Sequence, residues 1–169
     1  MNDATRQSAP YEKAAAALAS DGDAQLRTLA LQQFLQRGVP TTRLEDWKYT
    51  DLDAVFVHSD QWLATLGDVG EIDAALIHST KATLDAHWLG IANGRFQEDL
   101  SGLPPNVTVS RDVEYDANDS IDALGDLNFA LLQSGLSIHV GHDTHVEKPI
   151  ALMFIDHSAT SPQTTQSRV

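Results

Sequence analysis

Cysteine is absent from the 169 residues. Neither a disulfide framework nor thiolate chemistry is therefore available within this chain. Basic residues are scarce. Eleven Lys and Arg stand against 24 Asp and Glu, a formal net charge of -13. Nucleic-acid binding needs clustered Lys or Arg to neutralise phosphates, and binding to an anionic membrane surface needs the same, so neither is expected. No stretch approaches the ~20 consecutive apolar residues of a membrane span. Met1 to Pro10 is polar and lacks the apolar region of a secretory signal. A soluble, cytoplasmic chain is the expectation. Also missing are the G-x-S-x-G elbow and the G-x-x-x-x-G-K phosphate loop. With no catalytic constellation in view, the chain is not expected to be an enzyme.

What is present supports a packed core. Hydrophobic residues make up 42% of the chain, enough for a globular domain. Residues 1–9 read as a tail. A helix is predicted from about Pro10 to Ser20, with Ser8 as its cap, and a break at Asp21-Gly22-Asp23. A second is predicted from Ala24 to Arg37, with Leu26, Leu29, Ala30, Phe34 and Leu35 on one face and Gly38 as its stop. Thr42 to Glu45 has capping-box spacing, which predicts a helical turn carrying Trp47 and Tyr49. Between Asp51 and Ala86 the signal is mixed: Val55 and Val57 suggest a strand, Trp62 to Leu66 a turn of helix.

From Trp88 the periodicity changes to that of strands. Trp88 to Ala92, then Asn93-Gly94, then Arg95 and Phe96, predicts a hairpin around a type I′ turn. Val107 to Val109 reads as a strand and Ile121 to Leu132 as a helix capped by Ser120. Leu136 to Val140 alternates as a half-buried strand. Ile150 to Ile155 is a denser apolar run, expected to be a strand buried on both faces. Helices come first and strands last, and so few late strands do not cover both faces of a sheet. The natural protein is therefore expected to continue beyond this sequence.

Two groups of residues invite a functional reading. His139, His142 and His145, with Asp143 among them, supply the donor types of a divalent-metal site or a small metal-dependent hydrolase. Their spacing opposes it. On a strand His142 points away from the other two, and only a tight turn at Gly141 to Asp143 gathers all three, so solvated turn histidines are the favoured reading and no metal is assigned. The second group is the run from Gly38 to Leu52. It reads as a helix stop, a turn and a capped turn with a Trp/Tyr pair flanking a lysine. The expectation is that Trp47 and Tyr49 anchor the helical part onto the strand part; a partner-binding surface using them with Lys48 is the alternative.

That run, with Gly38, Pro40, Glu45, Trp47, Lys48, Tyr49, Thr50 and Leu52, resembles the N-terminal signature of the SufD family of iron–sulfur cluster assembly proteins. Further blocks follow in order: Asn93-Gly94-Arg95-Phe96 with Leu100-Ser101 and Leu103-Pro104, then Leu127 to Ala130 with Gly135, then Glu147 to Ile150, and finally Arg168-Val169. The resemblance implies an α+β fold: residues 1–105 an N-terminal helical domain with a β-hairpin near 88–96, residues 106–169 the first rungs of a right-handed parallel β-helix, a solenoid whose coils cover one another. It implies a scaffold that works with SufB and the ATP-using SufC, receives sulfur through SufE and SufS, and is linked to iron acquisition. No cofactor is implied for this segment, which has no thiolate to ligate a cluster. The signature residues carry over as structural or interface positions of unknown role.

Overall fold

The computed structural model describes residues 8–18, 23–66, 70–111, 115, 122–157 and 163–169. The fold is α+β. Its contacts gather the chain into two compact units that interleave in sequence, residues 1–66, 114–132 and 160–166 in one, and 67–113, 133–159 and 167–169 in the other.

The first unit is helical. α1 (Ser8–Leu18) and α2 (Ala24–Arg37) pack together, α1 also meets α4 (Ser59–Ala64), and α2 lies along α6 (Ala123–Ala130). Ser8 sits inside α1 instead of capping it, and Ser120 lies outside the described residues. The cap of α6 is Asp122, whose carboxylate accepts from the Gly125 backbone N–H at 2.8 Å. α2 ends as expected, because Gly38 takes φ 76°, a conformation only glycine adopts without strain, and its N–H donates to the Phe34 carbonyl.

The buried face of α2 differs from the predicted one. Arg27, Ala30, Leu31 and Phe34 are buried, whereas Leu26 and Leu29 are exposed. The reason is Arg27. Its stem packs inward while its guanidinium pairs with Asp23 at 2.8 Å and donates to the carbonyl of Leu132 at 2.7 Å, just past the end of α6. A helix C-terminus leaves carbonyls unsatisfied, and the same guanidinium also reaches one of them, the Ala130 carbonyl, at 3.5 Å. Beside its buried alanines and leucines, the core of this unit has an aromatic part. Tyr11, Phe34, Phe56 and Trp62 form a chain of ring contacts with centroids 5.4 to 6.2 Å apart, the separation at which tilted and edge-on pairs are favourable.

The second unit holds α5 (Ala74–Lys81) and the strands β1 (His87–Ala92), β2 (Arg95–Gln97), β3 (Val107–Ser110), β4 (Ser134–Gly135), β5 (Ser137–Val140), β6 (Ile150–Ile155) and β7 (Ser167–Arg168). The predicted hairpin forms: β1 and β2 pair antiparallel around Asn93 and Gly94, both at positive φ, as a type I′ turn requires. β6 pairs with the other edge of β1 in parallel, with Leu89 opposite Leu152 and Ile91 opposite Phe154. A second parallel ladder joins β4 to β7, and β3 pairs antiparallel with β5.

Paired residues in a ladder share a face. Leu89 and Ile91 point into a core cluster with Phe96 and Leu136, yet their partners Leu152 and Phe154 are 37% and 56% exposed. Burial of β6 on both faces is therefore not what the structure has. Met153 and Ile155 are buried, and the face that continues the core is open.

Candidate functional site

The signature run folds as a stepped surface on the helical unit. After Gly38, Val39 and Pro40 are buried and fix the exit of the chain from α2. The Leu44 N–H donates to the Thr41 carbonyl, then a single 3-10 turn spans Glu45–Trp47, and the Thr50 N–H donates to the Trp47 carbonyl. The expected capping box is not used: the residue before the turn is Leu44, and no side chain caps it. A side-chain bond of the capping kind comes instead from Asp51, further along the chain. Its carboxylate accepts from the Asp53 N–H at 3.0 Å and opens α3 (Asp53–Phe56). That local bond makes helix out of a segment whose two valines suggested strand. Val55 and Val57 are both exposed.

Trp47 is half-buried, but Tyr49 is 91% exposed, so the pair does not form the buried anchor expected of it. Instead Lys48 lies 3.7 Å from Glu45 and its ammonium stands 5.6 Å from the centre of the Tyr49 ring. Ion pairs and cation–π contacts this exposed contribute little to stability. Glu45, Lys48 and Tyr49 thus present charge and an aromatic face outward without holding the fold together. Gly38 and Pro40 shape the turn beneath them.

Leu52, the last residue of the run, points to a feature the sequence did not announce. It lines a groove of about 230 Å³ with Val55, Phe56, Trp62, Leu124 and Leu127. The opposite wall comes from residues 163–166, where Gln166 accepts from the Asn128 amide at 3.0 Å and donates to Thr164 at 2.8 Å. Two blocks that are far apart in sequence, one ending at Leu52 and one containing Leu127 and Asn128, meet here. No periodicity or motif signals that meeting, because it depends on how α3 and α6 pack. Beneath the floor, Tyr11 is buried against Phe34 and Trp62. Burial raises its phenol pKa; a hydrogen bond with Ser59 offsets some of the rise, and Asp60 adds to it.

The histidines stay apart. His139 lies on β5 opposite Thr108, and His142 is fully in solvent beside Asp143 at 2.8 Å. Among the described residues no group of three or more His, Asp or Glu is placed to hold a metal ion. Nor is any described helix long and apolar enough to cross a membrane.

The remaining resemblance blocks act on the strand unit. Ser101 accepts from the Gly90 N–H at 3.0 Å and donates to the Gln97 carbonyl at 2.6 Å, tying the segment after the hairpin to β1 and β2. Lys148 pairs with Asp85 at 2.7 Å and the Pro149 carbonyl accepts from the His87 N–H, which sets the register of β6 on β1.

Residues 10–110 match the family model described as the SufBD protein N-terminal region. The chain belongs to the SufBD family. It is also 31% identical, over 134 residues, to the iron-sulfur cluster assembly protein SufD of Escherichia coli (strain K12), an alignment covering 74% of this chain. The chain spans 30% of the length of that SufD relative. Within the SufBD match fall the whole of the Gly38 to Leu52 run and the hairpin. The blocks at Leu127, Glu147 and Arg168 lie beyond it.

Proposed function

We propose that this chain belongs to a SufD-like scaffold subunit of the Suf iron–sulfur cluster assembly machinery. In this reading it does no chemistry of its own. It works beside SufB and the ATPase SufC, sulfur reaches the complex through SufE and SufS, and the nascent cluster is cargo held by the assembly. The subunit supports cluster formation and iron acquisition, and ATP is used by SufC. The setting is the cytoplasm.

The observation that carries the proposal is the pair of parallel ladders, β1 with β6 and β4 with β7, closing over one core whose continuing face is open at Leu152 and Phe154. Parallel strands brought back beside their predecessors after a long excursion are how a solenoid coils, and each coil needs a neighbour to cover its apolar layer. That geometry supports a right-handed parallel β-helix beginning in the strand unit. The family match and the likeness to an iron–sulfur cluster assembly protein support the biochemical setting. The test is affinity purification of the full-length gene product from its own cells. Recovery of SufB and SufC homologues in stoichiometric amounts is expected. Recovery of the protein alone, with both homologues present in the lysate, contradicts the proposal.

A further inference from the structure

The groove between α3 and α6 is small. Its volume of about 230 Å³ lies below the ~300–1,000 Å³ of small-molecule pockets, and it suits one or two large apolar side chains. Its floor is apolar throughout: Leu52, Val55, Phe56 and Trp62 on one side, Leu124 and Leu127 on the other. The polar wall, Gln163, Thr164 and Gln166, carries no charge. Val55 remains 55% exposed although it lines an apolar surface.

The two segments that floor the groove carry exposed acids and neither Lys nor Arg, while half-exposed Arg37 stands against Asp126 of α6. From residue 49 to 66 the chain has Asp51, Asp53 and Asp60 and neither Lys nor Arg; from 122 to 132 it has Asp122 and Asp126 and again neither. Asp126 is paired internally with Arg37, but Asp51, Asp53 and Asp60 are all exposed. A partner that places apolar anchors in this groove therefore meets a negative surround on a chain of net charge -13, and complementarity selects cationic flanks.

We infer that the groove formed by α3, α4, α6 and residues 163–166 receives the apolar anchors of an amphipathic segment of another protein that carries Lys or Arg on its remaining face. The mode is that of a helix laid into an apolar groove, with anchors one turn apart. The inference concerns the helical unit and stands without the Suf reading: it concerns a partner chemistry, whichever complex supplies it.

Fluorescence anisotropy of the full chain with a labelled synthetic peptide tests this. The peptide carries Leu and Phe at helical spacing on one face and Lys and Arg on the other. Two control peptides replace the basic residues by Glu or the apolar residues by Ser. The amphipathic basic peptide binds at least about tenfold more tightly than either control. Val55→Arg weakens it about tenfold with an unchanged unfolding midpoint, since that side chain is largely in water. Leu76→Arg, at an equally exposed apolar position on α5, leaves the affinity as in the natural chain. Equal binding of the acidic peptide, no binding of the basic one, or equal affinity in the Val55 and Leu76 variants each overturns the inference. None of these outcomes bears on recovery of SufB and SufC, so the two proposals fail separately.

Discussion

Arg37, in the last turn of α2, reaches Asp126 on α6 at 3.0 Å, with the carboxylate wholly buried and 40% of the arginine side chain still in water. The other carboxylate oxygen accepts from the Tyr115 hydroxyl at 2.8 Å, and the Tyr115 ring stacks on Phe129 at 4.4 Å. A buried carboxylate stabilises a fold only while its partners are in place; removing one leaves an uncompensated charge in the interior.

Arg37→Ala is accordingly expected to cost about 2 kcal/mol, less than a fully buried pair because water reaches the guanidinium. Urea unfolding followed by circular dichroism measures it. Arg37→Ala and Asp126→Ala together should cost less than the sum of the two alone, since the double change removes the stranded charge along with its partner.

Arg27 closes the end of α6 from a distance of 105 residues in sequence. Arg27→Met keeps most of the packed stem but removes the donor to the Leu132 carbonyl. A loss of about 1–3 kcal/mol is expected from the unsatisfied buried carbonyl, with faster amide hydrogen exchange concentrated in α6.

Tyr11 predicts a limit to alkaline stability. Its folded pKa lies above the ordinary tyrosine value of 10.0, chiefly through burial. Below pH 10 both states hold the phenol proton and the full stability is present. As pH rises past 10 the unfolded chain loses that proton first, so stability falls until the folded phenol titrates as well. Unfolding midpoints measured at pH 8, 10 and 11 should decline for the natural chain. They should decline less for Tyr11→Phe, which starts slightly lower for want of the Ser59 hydrogen bond.

Gly90, in the middle of β1, leaves room for Leu100: a Cβ built there falls 2.6 Å from the Leu100 Cβ. Gly90→Ala should therefore destabilise by roughly 1–3 kcal/mol through forced repacking. The same change loosens the Ser101 contact that tethers the post-hairpin segment. Thermal unfolding of the variant checks it.

Much of this was legible from sequence where a local rule decides the outcome. α2 runs from Ala24 to Arg37 as predicted because Gly38 ends it, and the hairpin forms because Asn93-Gly94 accepts positive φ at both positions. What the sequence hid depends on distant partners. Arg27 displaces leucines from the buried face because its acceptor lies 105 residues away. Val55 became helical through a two-residue bond from Asp51, which outweighs the strand preference of an exposed valine. Tyr49 looked like an anchor on composition alone, yet nothing in a run of residue types says which side of a turn faces water. The signature blocks carried the family, but the groove where two of them meet needed α3 and α6 set side by side.

The most direct measurement of the central claim is cluster loading in a reconstituted complex. SufB and SufC homologues are combined with a sulfur donor and ferrous iron, with and without the full-length gene product. Iron and acid-labile sulfide retained on the purified assembly are then quantified. A scaffold of the Suf machinery raises both together in equal proportion. If its addition changes neither iron nor sulfide, while the protein is folded and present in the mixture, the account is contradicted.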